Sequence, residues 1–193
     1  MTNGSFRIVL WIAAFVVSAV ASMGVILMAR ESPRTVAIGG PFRLIDQDGR
    51  VVTEQDLLGR ASLVFFGYTH CPDVCPATMF EISQIMQALG PDADRARGVF
   101  ITIDPERDTQ PVLKDYMSSF DPHITGLTGD VPAITAVAKE YRAYFRKVAI
   151  DGGDYAMDHT AITYLMDKEG RFVSPFNLKR VTEEAAADLR RHL

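Results

Sequence analysis

An uninterrupted apolar stretch, Leu63-Val64-Phe65-Phe66, runs through Gly67-Tyr68-Thr69-His70 into Cys71-Pro72-Asp73-Val74-Cys75-Pro76 and then into a helical pattern. A short strand that is apolar at successive positions is covered on both faces. The pattern that follows places Cys75, Met79, Ile82, Met86 and Leu89 at steps of 4, 3, 4 and 3, one face of an α-helix. A buried strand feeding directly into a helix that must pack back on the sheet confines the chain to an α/β architecture. Cys75 belongs to the packed stripe.

The remaining segments fit that frame. Phe42 to Ile45 and Val51-Val52 flank the turn Asp46-Gln47-Asp48-Gly49 and predict a hairpin. A second strand is expected near Gly98 to Ile103, then a helix from Gln110 to Phe120 with Asp108 or Thr109 as N-cap and Pro111 in its first turn. A third helix is expected over Val131 to Arg142, and a strand near Phe145 to Ala149. After the turn Asp151-Gly152-Gly153-Asp154 comes a loop, Tyr155 to Thr160, that leads into a strand over Ala161 to Met166. The turn Lys168-Glu169-Gly170, a short strand Arg171-Phe172-Val173 and an amphipathic helix from Thr182 complete the chain. Strands alternating with helices, and antiparallel hairpins at both ends, describe a mixed sheet with helices on its faces.

No charged residue occurs from Ile8 to Ala29. At 1.5 Å per residue such a run spans a hydrocarbon core of roughly 30 Å, so residues 1–30 are expected to form a membrane anchor. Ala19-Val20-Ala21 resembles a cleavage site, but the apolar run continues past it through Met28. Arg7 on one side and Arg30 and Arg34 on the other leave the orientation undecided. Residues 31–41, with Ser32, Pro33 and Gly39-Gly40-Pro41, read as a tether, and 42–193 as one domain. Without Arg7 and Arg30 the chain keeps 18 basic against 24 acidic residues, which disfavours nucleic acid as a partner.

The only two cysteines, Cys71 and Cys75, are four apart at the start of a helix. The N-terminal end of a helix favours thiolate. On one helix their Cα atoms would lie roughly 6 Å apart, so the pair can be a dithiol, a disulfide or two ligands of a soft metal. A bridge between successive turns closes almost no loop and stabilises little, which favours reactivity over stapling. His159, just before an apolar strand, can reach the same strand ends if the sheet is doubly covered. Two thiolates and an imidazole suit copper; structural zinc would want a fourth donor from His70, His123 or Asp158. Asp158 reads either as the acceptor that orients the imidazole or as an exposed carboxylate. Met79 and Met157 are thioethers, Met79 more naturally core filler. His70, beside Cys71, reads either as a neighbour that lowers the thiol pKa or, in preference, as a solvent-facing residue, and His123 and His192 carry no signal. Asp104-Pro105-Glu106-Arg107-Asp108-Thr109 reads as strand exit and helix cap, or as charge offered to a partner.

Three segments in order, Phe66 through Pro76, Asp104 through Thr109, and Asp158-His159-Thr160, resemble the Sco/SenC family. The resemblance implies a thioredoxin-like fold with an N-terminal transmembrane helix. It implies one Cu(I) or Cu(II) held by Cys71, Cys75 and His159 and delivered to the dinuclear CuA site of cytochrome c oxidase subunit II. It further implies a domain exported to the periplasm or intermembrane space, where other copper chaperones or thioredoxin-like reductants are partners. Gln110 stands where the family often has proline. Against a thioredoxin-like oxidoreductase, the cysteine spacer is three residues rather than two, and no proline occurs between Ile150 and Ser174. Two alternatives use the same residues: a thiol-disulfide oxidoreductase with Cys71 attacking and Cys75 resolving, and a redox or copper sensor. In the copper reading, His159 completes the site when the loop carrying Gly152-Gly153 closes.

Overall fold

The computed structural model describes residues 37–193 together with the isolated positions 11, 15, 16 and 18. Apart from those four positions, the anchor expected over 1–30 and most of the tether therefore lie outside the described residues. Among the described residues no helix is long and apolar enough to cross a membrane.

Residues 37–193 form one compact unit. β1 (Arg43–Asp46) and β2 (Val51–Thr53) make the expected hairpin, and a 3-10 turn, Glu54–Leu57, leads to β3 (Ala61–Gly67), every residue of which is buried. Helix α1 (Val74–Leu89) follows, then a second 3-10 turn, Gly90–Arg95, and β4 (Ala96–Thr102). Next come α2 (Gln110–Met117), β5 (Ile124–Thr128) and α3 (Val131–Glu140). β6 (Phe145–Ala149), β7 (Tyr155–His159), β8 (Thr163–Met166), β9 (Phe172–Pro175) and α4 (Thr182–Arg190) close the chain.

Seven strands pair in the order β2-β1-β5-β4-β3-β8-β9. β3, β4 and β5 are parallel, and β1, β8 and β9 join antiparallel, giving a mixed sheet bordered by strands of three and four residues. β6 and β7 pair only with each other, as a separate hairpin. On one face, glycines admit the helices. A Cβ on Gly98 would come within 3.1 Å of Ile82 on α1, and one on Gly126 within 2.7 Å of Met117 on α2. α4 packs against α1. The other face is closed by Tyr141, at the end of α3, whose ring lies 5.4 Å from Phe66 and 5.7 Å from Tyr164. All five stripe residues of α1 are buried, as the 4-3-4-3 spacing requires.

Three expectations are corrected and one holds in part. β5 is a central strand that the sequence reading passed over, because Ile-Thr-Gly-Leu-Thr carries neither an apolar run nor clean alternation, and its Gly126 is a packing position rather than a breaker. Cys71 does not share the helix with Cys75: α1 starts at Val74, so Cys71, which precedes Pro72, lies in the entering turn rather than on the helix face. The reason is steric, since the residue before a proline is pushed out of the α region. Of the two N-cap candidates for α2, Thr109 holds the position, without a side-chain bond, and Asp108 is buried and bonded elsewhere. Finally, Tyr155 to His159 is a strand, with His159 paired to Phe145 at the base of the β6–β7 hairpin. Gly152 and Gly153, with φ of +89° and +83°, sit at the opposite end. Closure of the glycine tip would therefore not be the motion that places His159.

Candidate functional site

The end of β3 and the start of α1 bring the two sulfurs together. Both thiols are free, Cys71 half-buried and Cys75 fully buried in the first turn of the helix. The Cys71 amide donates to the Tyr68 carbonyl at 3.3 Å, and the Cys75 amide donates to Cys71 Sγ at 3.4 Å. One of the orphan N–H groups of the helix start is thus turned on the outer sulfur. The inner sulfur behaves differently from the acidified thiol expected at a helix N-terminus. Burial pushes the Cys75 thiol far up, a backbone N–H bond from Tyr68 opposing this only in part. Burial keeps Cys75 a thiol, whose proton must go to solvent when the sulfur binds an ion.

Gly67 lets the strand pass against this sulfur. A Cβ there would stand 2.9 Å from Cys75 Sγ, 2.8 Å from the Phe100 ring and 2.9 Å from the Phe65 ring. Gly67→Ala is accordingly expected to destabilise the domain by about 1–3 kcal/mol through overpacking. It should also raise the reactivity of Cys75 toward a small alkylating reagent. Urea unfolding and timed thiol labelling check both, and wild-type values in the two would show that the contact relaxes freely.

The imidazole of His159 reaches the same place from β7. Its Nε2 lies 3.8 Å from Cys75 Sγ, and its ring sits edge-on to Phe65 and Tyr68 at centroid distances of 6.2 and 5.9 Å. Nδ1 is 3.1 Å from the Thr160 carbonyl. A carbonyl only accepts, which puts the ring hydrogen on Nδ1 and leaves the lone pair of Nε2 facing the sulfur. Burial holds the imidazole below its usual pKa, against smaller opposing effects of the Thr160 carbonyl and the Asp158 charge. The ring is neutral at neutral pH, the form that ligates metals. Asp158 does not orient it: that carboxylate is exposed and pairs with Arg146 at 3.2 Å across the hairpin. The imidazole is aimed by a main-chain carbonyl instead.

Two carboxylates missed as site components shape the cysteine turn. Asp108, fully buried, accepts from Thr69 N at 2.9 Å, Thr69 Oγ1 at 2.6 Å and Thr102 Oγ1 at 2.6 Å, so it ties the turn before Cys71 to the end of β4. Asp104, also buried, accepts from Tyr155 Oη at 2.9 Å and pairs with Arg107. The only sequence signal was the paired aspartates of Asp104-Pro105-Glu106-Arg107-Asp108-Thr109, which read equally as a cap.

The other candidates stand apart. His70 is half-exposed, its Nδ1 3.0 Å from Thr69 Oγ1 and 3.7 Å from Asp108 Oδ1. His123 is engaged by Asp121 and Asp94, at 2.7 and 3.3 Å, and His192 follows α4. Met79 and Met157 are buried apolar residues of the core. Among the described residues no group of three or more His, Cys, Asp or Glu side chains is already drawn into a metal-holding cluster. An ion would have to draw its donors inward.

A mixed sheet with helices on both faces, carrying two free thiols at a β-to-α junction and an imidazole beside the inner one, defines a thioredoxin-like domain with a thiol–imidazole site. The model of the SCO1/SenC family matches residues 30–193. The ScoI structure of Bradyrhizobium japonicum with copper bound is 60% identical, with a TM-score of 0.79 over 81% of this chain and 100% of that one. Yeast Sco1 with copper bound is 37% identical, with a TM-score of 0.73 over 81% of this chain and 88% of that one. The SCO2-like protein of Rickettsia felis is 40% identical over 151 residues, 77% of this chain and 74% of that protein. The chain belongs to the SCO1/SenC family.

Proposed function

We propose that this protein is a copper metallochaperone in which Cys71, Cys75 and His159 hold one copper ion as cargo for the CuA site of cytochrome c oxidase subunit II. The observation that carries the reading is the approach of His159 Nε2 to Cys75 Sγ, 3.8 Å, with Nδ1 already committed to the Thr160 carbonyl. Two thiolates favour Cu(I), and imidazole accepts either oxidation state, so the set suits an ion that changes hands. Cys71 is the accessible donor, through which an acceptor would begin ligand exchange. Cys75 is the buried one, released last. Copper bound in relatives of 60% and 37% identity supports the same cargo here. In this reading residues 1–30 anchor the chain, 31–41 tether it, and the domain works on the periplasmic side of an inner membrane or in the intermembrane space. Copper donors and thioredoxin-like reductants of that compartment are its other partners.

Copper titration of the reduced domain is the test. One equivalent should give a thiolate-to-Cu(II) charge-transfer band. At free copper 100-fold above Kd, loading should stabilise the fold by about 2.7 kcal/mol, read as a rise in Tm. Absence of both signals would refute the assignment.

One feature favours a second reading, reduction of an acceptor's disulfide. The outer, half-buried sulfur takes an amide hydrogen bond while burial keeps its partner a thiol, the arrangement of an attacking and a resolving cysteine. Turnover of a model disulfide by the metal-free protein tests it.

A further inference from the structure

The β6–β7 hairpin that carries His159 takes no part in the main sheet. Most of its polar ties to the rest of the domain run to the segment after β4. Arg107, with a side chain only 18% exposed, pairs through Nε with Asp104. Its Nη1 donates to the Tyr155 carbonyl at 3.0 Å and to Asp154 at 3.2 Å, both at the start of β7 or just before it. The guanidinium lies 3.8 Å above the Tyr155 ring, and the Tyr155 hydroxyl returns to Asp104 at 2.9 Å. Lys147 of β6 covers the same ring at 4.5 Å and pairs with Glu106. Arg107 also stands 5.9 Å from the ring of Tyr68, which itself packs on His159. The remaining nitrogen, Nη2, is buried without a partner among the described residues.

We infer that Arg107 is a positioning residue: its fork fastens β7 to the cysteine-bearing side of the domain and so fixes how closely His159 approaches the sulfurs. The inference rests on the proposed donor set. It follows that Arg107 governs the imidazole-dependent part of copper binding and leaves the thiol part alone. Thiolates alone satisfy Cu(I), whereas the imidazole is the donor better suited to Cu(II). Loss of the fork therefore weakens Cu(II) selectively.

Arg107→Lys is the informative variant. An ammonium still neutralises Asp104, which protects the fold, but a compact point charge cannot bridge that carboxylate and the Tyr155 carbonyl as a planar fork does. Cu(II) retention should fall by about 10–100-fold, the size of effect seen when support of a metal ligand is removed. Cu(I) retention in a chelator competition should be unchanged, and R107K combined with H159A should be no worse than H159A alone. In the metal-free protein, the imidazole NMR signals of His159 should move and the Nδ1 hydrogen exchange faster.

Equal loss of Cu(I) and Cu(II), or further loss in the double variant, would overturn the inference, since Arg107 would then act other than through His159. A wild-type R107K beside an impaired Arg107→Gln would also overturn it, showing that charge and not the fork matters. Should H159A bind copper as wild type does, the donor assignment falls, and the NMR signals of the metal-free R107K protein still decide whether Arg107 positions the ring.

Discussion

Replacing His159 with alanine is expected to lower Cu(II) retention by more than about 100-fold, beyond what removal of a ligand's supporting hydrogen bond costs, while leaving the domain folded. The imidazole presents the lone pair of Nε2 to the Cys75 sulfur, and burial keeps it uncharged, so no proton has to leave it at neutral pH. Its structural duties are modest: one bond to the Thr160 carbonyl and edge contacts with Phe65 and Tyr68. Their loss should cost about 1–2 kcal/mol. The thiolate charge-transfer band should weaken or shift while the far-ultraviolet spectrum stays as it was. Chelator competition gives the affinity, and an unchanged value would remove His159 from the site.

The second large effect is expected at a residue that no ion would touch. Asp108→Ala should destabilise the domain by about 3–5 kcal/mol, because it removes the acceptor for three hydrogen bonds in a fully buried place. The Thr69 amide and the hydrogen of the Thr102 hydroxyl would be left without an acceptor. The turn from Tyr68 to Cys71 would lose its tie to β4, and the Cys71 sulfur its fixed relation to the Cys75 amide. Asp108→Asn, which keeps the shape and one acceptor oxygen but sets an NH2 against a donor, should lie between. Urea unfolding at constant m-value measures the loss, and less than about 1 kcal/mol for the alanine variant would deny the scaffold role.

What the sequence disclosed and what it withheld divide by range. β3 and α1 were legible because an all-apolar run and a 4-3-4-3 stripe are local consequences of burial. Cys71, Cys75 and His159 were picked out by chemical type, and the fold brings Cys75 and His159, 84 positions apart, into contact. The role of Asp108 was not legible, because an aspartate before Thr109 is locally a cap, and what overrides the cap is a threonine 39 residues upstream. The same holds for the imidazole: Asp158 was the visible candidate to orient it, but the work is done by a main-chain carbonyl, which every residue has and no sequence can mark. β5 was lost for a related reason. Its glycine is there to admit Met117, a contact written in α2.

The borders of the main sheet have a consequence for how copies of this protein tolerate one another. β2 offers three residues of open ladder, and β9 offers four and ends on Pro175, which has no amide hydrogen to give. Neither edge is long enough to template a strand from a neighbouring molecule. Even at high local density, edge-to-edge polymerisation through the main sheet is disfavoured by construction.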